Sequence, residues 1–206
     1  MKNYPSETIF RLASYLRVLS RLGEDRQNIS SFELGKILKI NPNQVRKDLS
    51  YFGRFGRRGI GYKINELIKH LRDILGINRK WNVALCGWGN LGKALSSYRG
   101  FLEQGFIIKV IFDKDPKKLG RKVSDNINIK SIEEIEESIK KYSIKIVILA
   151  VPAEEAQSMA ERFYKAGIRA ILNFAPTNIV LASDCLVRNV DMSSELSYLS
   201  YYLAHR

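Results

Sequence analysis

Apolar residues recur at helical spacing near the start of the chain. Ile9, Leu12, Ala13, Leu16 and Leu19 share one stripe, which predicts an amphipathic helix over residues 7–22 that Gly23 closes. Ser30-Ser31-Phe32-Glu33 has the form of a capping box, so a short second helix runs through Leu38. Lys39 and Ile40 turn the chain, Asn41 caps a third helix, and Pro42 sits at its first position, where a missing N–H does no harm. Val45, Leu49 and Phe52 commit one side of that helix to a core. Asn65 then caps a helix over 66–75 that stops at Gly76.

Beyond a short polar linker, Ile77 to Trp81, the pattern changes to alternating strands and helices. Strands are predicted at 82–86, 107–112, 144–150, 170–173 and 186–190, with helices at 90–98, 132–142 and 153–166. Such alternation argues an α/β fold, a doubly wound parallel sheet of Rossmann-like type with helices on both faces. A last apolar stripe, Leu196, Leu199, Tyr202 and Leu203, gives a C-terminal helix whose face suits either its own domain or a partner subunit. The predicted division is 1–78, 79–192 and 193–206.

The first strand of the second domain runs straight into Gly87-Trp88-Gly89-Asn90-Leu91-Gly92, a G-x-G-x-x-G loop that opens a helix. Gly87 allows the tight turn, Gly89 lets the backbone approach a pyrophosphate, and Gly92 lets helix and strand pack closely. Asp113 ends the next strand, where a carboxylate accepts hydrogen bonds from an adenosine ribose and repels a 2′-phosphate, although Lys114 beside it blunts that repulsion. Val151-Pro152 and Ala175-Pro176 follow later strands at carboxyl ends, where open α/β sheets bind ligands. These residues make NAD(H) the expected cofactor.

Charge changes the reading of the first domain. Residues 1–80 hold 17 Lys and Arg against 7 Asp and Glu, while the rest of the chain holds 17 against 14. The cationic excess is concentrated where it can neutralise a phosphate backbone. The third helix turns Gln44, Arg46, Lys47, Ser50 and Tyr51 outward, types that contact base edges and phosphates. Arg57 and Arg58 lie in a glycine-rich stretch, Gly53 to Tyr62, that suits a hairpin entering a minor groove. Double-stranded operator DNA is the expected partner.

Other chemistries find little footing. Cys86 and Cys185 have no metal-ligand spacing, and His70 and His205 are scattered, so no metal site is predicted. There is no Ser-His-Asp order and no His or Lys obviously placed for hydride transfer, so no catalytic residue is assigned. Tyr98 and Asp191 are the remaining titratable candidates, each equally readable as a solvated side chain. With no apolar leader and no run long enough to span a bilayer, the expected location is cytoplasmic, away from membranes.

Several long stretches, in order and over essentially the whole chain, resemble the redox-sensing transcriptional repressor family called Rex. Gln44 to Gly53 is similar to that family's recognition helix and Arg57 to Tyr62 to its wing. Asn78 to Trp81, the Gly87 to Gly92 loop, Asn173 to Pro176 and Asn189 to Asp191 are also similar. The resemblance implies a winged-helix domain joined to a Rossmann domain, in a homodimer that exchanges its C-terminal helix. It implies repression of respiratory and fermentative genes, with NADH lowering operator affinity and NAD+ restoring it. Arg17, Tyr98 and Asp191 would belong to the switch between cofactor states. One departure is Met192, where some members carry a phenylalanine beside the nicotinamide. The residues alone leave two rival functions open, an NAD-dependent oxidoreductase and a CoA-binding protein, each with a basic N-terminal appendage.

Overall fold

A computed structural model describes residues 4–22, 26–124 and 127–205. The chain divides into two compact units, Met1–Arg79 and Lys80–Arg206.

In the first unit α1 (Ser6–Leu22), β1 (Asn28–Ile29), α2 (Ser31–Leu38), α3 (Pro42–Ser50), β2 (Gly56–Arg57), β3 (Gly61–Lys63) and α4 (Ile64–Ile74) follow in that order. Ser30 and Glu33 form the predicted capping box, and Asn41 caps α3 through the Asn43 amide. Between α2 and α3 the chain turns through Lys39 in a left-handed conformation. Gly35 makes this turn possible, because a Cβ there would stand 2.5 Å from the Ile40 carbonyl oxygen. The strands pair in the order β1-β3-β2, antiparallel throughout, so β2 and β3 form a wing beside the helix-turn-helix.

Three expectations for this unit are corrected. The buried face of α1 is Thr8, Leu12, Tyr15, Leu16 and Leu19, while Ile9 and Ala13 turn outward. The stripe is rotated because two polar side chains, Thr8 and Tyr15, point inward to bond Asp48. Asn65 caps nothing, since α4 begins at Ile64, whose amide bonds the Gln27 carbonyl, with Lys63 at the N-cap. Phe52 lies past the end of α3 and is only half-buried. The expected stop at Gly23 falls outside the described residues.

In the second unit, a seven-stranded sheet is ordered β10-β9-β8-β4-β5-β7-β6. Its strands are β4 (Trp81–Cys86), β5 (Phe106–Asp113), β6 (Lys122–Ser124), β7 (Ile127–Ser131), β8 (Ile146–Leu149), β9 (Ala170–Asn173) and β10 (Leu186–Asn189). All neighbours are parallel except the short edge strand β6. The helices are α5 (Asn90–Ser96), α6 (Arg99–Glu103), α7 (Ile135–Tyr142), α8 (Ala153–Lys165) and α9 (Met192–Ala204). Two cores form, one around Phe112, Val147, Leu149 and Phe163 and the other around Val83, Leu85, Ile111 and Ile129. This is the doubly wound Rossmann arrangement. Strand order reverses between β4 and β8, which opens a crevice at their carboxyl ends.

The linker is shorter than predicted, because Trp81 already pairs with Phe106 in the sheet. The helix predicted over 90–98 ends at Ser96, leaving Tyr98 as the N-cap of the separate α6. The pair β6 and β7 has no counterpart in the apolar pattern, because Lys122, Asn128 and Lys130 interrupt it. The helix α9 buries none of its side chains; Leu196, Leu199 and Leu203 are 68%, 57% and 70% exposed.

Candidate functional site

Of the residues singled out for a dinucleotide, Gly87, Gly89, Asp113, Lys114, Val151 and Pro152 line one cavity of about 250 Å³ at the sheet's switch point. The three glycines divide the work. Gly87 adopts φ +94°, and a Cβ there would stand 2.4 Å from the Ala150 carbonyl oxygen. At Gly92 a Cβ would stand 1.9 Å from the Gly87 carbonyl oxygen, so the start of α5 rests on the loop itself. Gly89 has ordinary φ, −76°, and a Cβ there would meet nothing within 4 Å. The fold has no steric need of glycine at that point. The space it leaves fits the close approach of a phosphate group to the backbone, and no side chain caps the first amides of α5, which Asn90, Leu91 and Gly92 contribute.

Asp113 is buried at the end of β5. Its Oδ2 accepts from the Trp88 amide at 2.8 Å and from Lys118 Nζ at 3.0 Å, and Oδ1 accepts from the Asp115 amide at 2.9 Å. Burial pushes its carboxyl up, but the Asp115 and Trp88 amides and the Lys118 ammonium together hold it below the usual carboxylate range. It is therefore an anion at neutral pH, with a lone pair on Oδ1 still open to a hydroxyl donor. Lys114 pairs with Glu155 at 2.5 Å across the cavity mouth. Lys118 and Glu155 escape sequence reading because no regular spacing ties them to the glycine loop.

Other residues take different places. The Trp88 indole leaves the cavity and packs with Val83, Leu85 and Ile111, flanked by Lys93 and Arg121 at 5.1 and 5.3 Å, so only its backbone serves the loop. Ala175 is buried and its amide donates to the Asn173 side chain, whereas Pro176 is exposed; neither lines the cavity. Asp191 caps α9, accepting from the hydroxyls of Ser193 and Ser194 at 2.6 and 2.7 Å and from their amides, and these bonds lower its carboxyl to about 2. Tyr98 is 60% exposed and meets Phe101 edge-on. Among the described residues no hydrogen bond joins Tyr98 to Asp191. Arg17 is exposed on α1, and Met192 is exposed at the start of α9. The Cys86 thiol, beside the loop, is pushed up to about 12 by burial and by Asp113, so it is no nucleophile at neutral pH.

In the first unit α3 and the wing enclose an open cavity of about 630 Å³ whose cations are Arg46, Arg54, Arg57 and Arg58. Arg46 donates to Ser31 Oγ at 2.7 Å and to Asn43. Lys47, Ser50 and Tyr51 are exposed as expected. Gln44 is corrected: it is half-buried, and its amide donates to Asp48 Oδ1 at 2.7 Å. Asp48 is the residue that sequence reading missed. It is fully buried on α3 and also accepts from Thr8, Tyr15 and both Nε and Nη2 of Arg11. Its position four residues after Gln44 was the available signal.

Among the described residues no group of three or more His, Cys, Asp or Glu is placed to hold a metal ion, and no helix is long and apolar enough to cross a membrane.

A winged helix with a cationic cleft and a Rossmann sheet with a dinucleotide cradle, in one chain, define a ligand-responsive DNA-binding protein. The comparisons with known proteins narrow that class. Residues 3–50 match a family model named for a DNA-binding protein N-terminus, and residues 78–177 match one named for a CoA binding domain. The redox-sensing transcriptional repressor Rex of Syntrophobacter fumaroxidans is 44% identical over 201 residues, covering 97% of this chain and 96% of its own length. That of Desulforamulus reducens is 43% identical, covering 97% and 95%. Solved structures agree. The Rex-family repressor RSP in complex with β-NAD+ and operator DNA superposes with TM-score 0.92 at 37% identity, over 100% of this chain and 94% of that one. Its complex with β-NADH gives 0.89 at 35%, over 100% and 96%. The chain belongs to the redox-sensing transcriptional repressor Rex family.

Proposed function

We propose that this protein represses transcription by binding double-stranded operator DNA through α3 and the wing, and that NADH in the β4–β8 crevice releases it while NAD+ permits binding. The carrying observation is the pairing, in one chain, of a cleft lined by four arginines with a glycine loop in which, among the described residues, no neighbour of Gly89 would meet a Cβ. Gly87 and Gly92 hold the loop's shape, and the amides of Asn90 and Leu91 face the phosphate charge. Asp113 receives a ribose hydroxyl, with Lys114, Val151 and Pro152 around it. Ala175 and Pro176 belong to the loop after β9, the strand next to β8.

Residues 1–78 read DNA, 79–192 hold the dinucleotide and 193–206 assemble the homodimer by exchange of α9. That last assignment is supported by the full exposure of a helix rich in Leu and Tyr. Arg17, Tyr98 and Asp191 form the switch, with Asp191 giving up its serine partners as it moves between the tyrosine hydroxyl and the guanidinium. The protein is a regulator and not an enzyme, and it works in the cytoplasm, where the DNA is. Operator binding titrated separately with NADH and NAD+ tests the reading. Release by NADH alone is the expected result, and equal response to both cofactors overturns it.

A further inference from the structure

Asp48 accepts a hydrogen bond from the side-chain amide of Gln44, a residue type that can read a base edge. A terminal amide has two faces, a carbonyl that accepts and an NH2 that donates, and a recognition side chain free to flip reads two different patterns. Gln44 has no such freedom. A carboxylate only accepts, so the end of Gln44 that meets Asp48 Oδ1 at 2.7 Å is its NH2 group, and the carbonyl is turned the other way. Asp48 itself is held from four directions. Oδ2 accepts from Arg11 Nε at 2.6 Å and the Tyr15 hydroxyl at 2.7 Å; Oδ1 also accepts from Arg11 Nη2 at 2.8 Å and the Thr8 hydroxyl at 3.2 Å. All four of these donor groups, on Thr8, Arg11 and Tyr15, come from α1, so the orienting group is anchored to the core and not to the reading surface. Burial works against its charge, but the bonds from Arg11, Tyr15 and Gln44 outweigh burial and keep it ionised.

With one amide hydrogen committed, Gln44 retains one N–H and one carbonyl. It stands in the first turn of α3, where a helix-turn-helix brings side chains to base edges. One donor beside one acceptor is the complement of adenine in the major groove, whose N7 accepts and whose N6 donates. Guanine presents two acceptors there and needs two donors.

We propose that Asp48 is a specificity-determining positioning residue, which by holding the Gln44 amide in one orientation makes Gln44 select an adenine in the major groove of each operator half-site. This rests on the reading of the first unit as an operator-binding domain.

The test uses the full-length protein and an operator selected by it from random duplexes. Each adenine is replaced in turn by 7-deazaadenine, which lacks N7, and by purine, which lacks the N6 amine. One adenine per half-site is expected to lose about tenfold or more in affinity with either analogue, and Gln44→Leu is expected to be indifferent to both at that position. Asp48→Asn presents either its own NH2 or its carbonyl to Gln44, so preference for adenine over guanine relaxes there while other positions keep theirs. Tyr15→Phe leaves the Gln44 contact in place and lowers thermal stability with base preference intact.

A uniform loss at all positions in Asp48→Asn, or an unchanged preference, overturns the proposal. If Asp48→Asn does not fold, the analogue scan on wild type and Gln44→Leu decides: no adenine whose two replacements are silenced by Gln44→Leu means the proposal is wrong. Selection of no operator at all brings down the DNA-binding reading itself, a result separable from the rest.

Discussion

The amide of Trp88 donates to Asp113 Oδ2 at 2.8 Å, which ties the middle of the glycine loop to the end of the neighbouring strand. The carboxylate expected to bind ribose therefore also shapes the loop expected to bind phosphate. Asp113→Ala should lose NADH affinity and narrow the discrimination against NADPH, since the anion both accepts from a ribose hydroxyl and repels a 2′-phosphate. Asp113→Asn keeps an acceptor for the Trp88 amide and should retain more NADH affinity than the alanine variant, while still discriminating less. Fluorescence titration with both cofactors measures this, and an unchanged preference in both variants removes Asp113 from the site.

Arg46→Ala, Lys47→Ala and Arg58→Ala should weaken operator binding and leave NADH titrations unchanged, because these side chains are exposed on α3 and the wing. A lost base contact is worth about 1–3 kcal/mol and relaxes sequence preference, whereas a lost phosphate contact reduces the salt dependence by about one unit of slope. Wild-type binding by all three variants would place the DNA surface elsewhere.

The Asp48 network makes a pH prediction. Burial raises the Asp48 carboxyl, but the Arg11, Tyr15 and Gln44 bonds outweigh it, and its folded pKa lies below the ordinary value. A depressed carboxylate contributes stability in full above its unfolded pKa, near ~4, and loses it as pH falls through the folded value. Asp48→Ala leaves Arg11 and Tyr15 without their partner and should cost about 3–5 kcal/mol at neutral pH. Thermal melts from pH 7 downward should show a constant gap between wild type and variant above pH ~5, closing in stronger acid. A gap independent of pH means that Asp48 carries no charge-linked stability.

Reading a two-fold operator requires two recognition helices about one turn of DNA apart, so the molecule should be a C2 dimer. Removing residues 194–206 should give monomers or aggregates in light scattering. A truncated chain that stays a stable dimer refutes the exchange of α9.

NADH and NAD+ differ by one charge and the planarity of one ring, a difference to which the proposed ionic contact of Asp191 would respond. Asp191→Ala and Tyr98→Phe should still bind NADH yet release operator poorly. Moving DNA from mostly bound to mostly free takes several kcal/mol of differential affinity, and two sites coupled by about 1–3 kcal/mol each supply it. Asp191→Ala also removes the α9 cap, so its dimer state must be measured alongside. Release of both variants at the wild-type NADH concentration puts the switch elsewhere.

Order, type and spacing of the main elements were legible in the chain because each carries a local signal. The Ser30 and Glu33 box, Asn41 with Pro42, and the strand leading into Gly87 act over a few residues, and the distance from Gly92 to Asp113 counts out one βαβ step. Local signals also explain the errors. Asn65 has the right chemistry for a cap, but α4 starts before it, at Ile64, whose backbone N–H donates a hydrogen bond to the Gln27 carbonyl. Ile9 and Ala13 are apolar, but Thr8 and Tyr15 satisfy a buried carboxylate forty and thirty-three residues away, and an unpaired buried charge is worse than an exposed isoleucine. Only the tertiary structure could decide these cases, because desolvation and hydrogen bonding act between groups that the chain brings together from afar. The same holds for Gln44. The sequence marked it as a candidate base contact, but the direction in which its amide points depends on Asp48, whose charge is held in the core by bonds from Arg11, Tyr15 and Gln44.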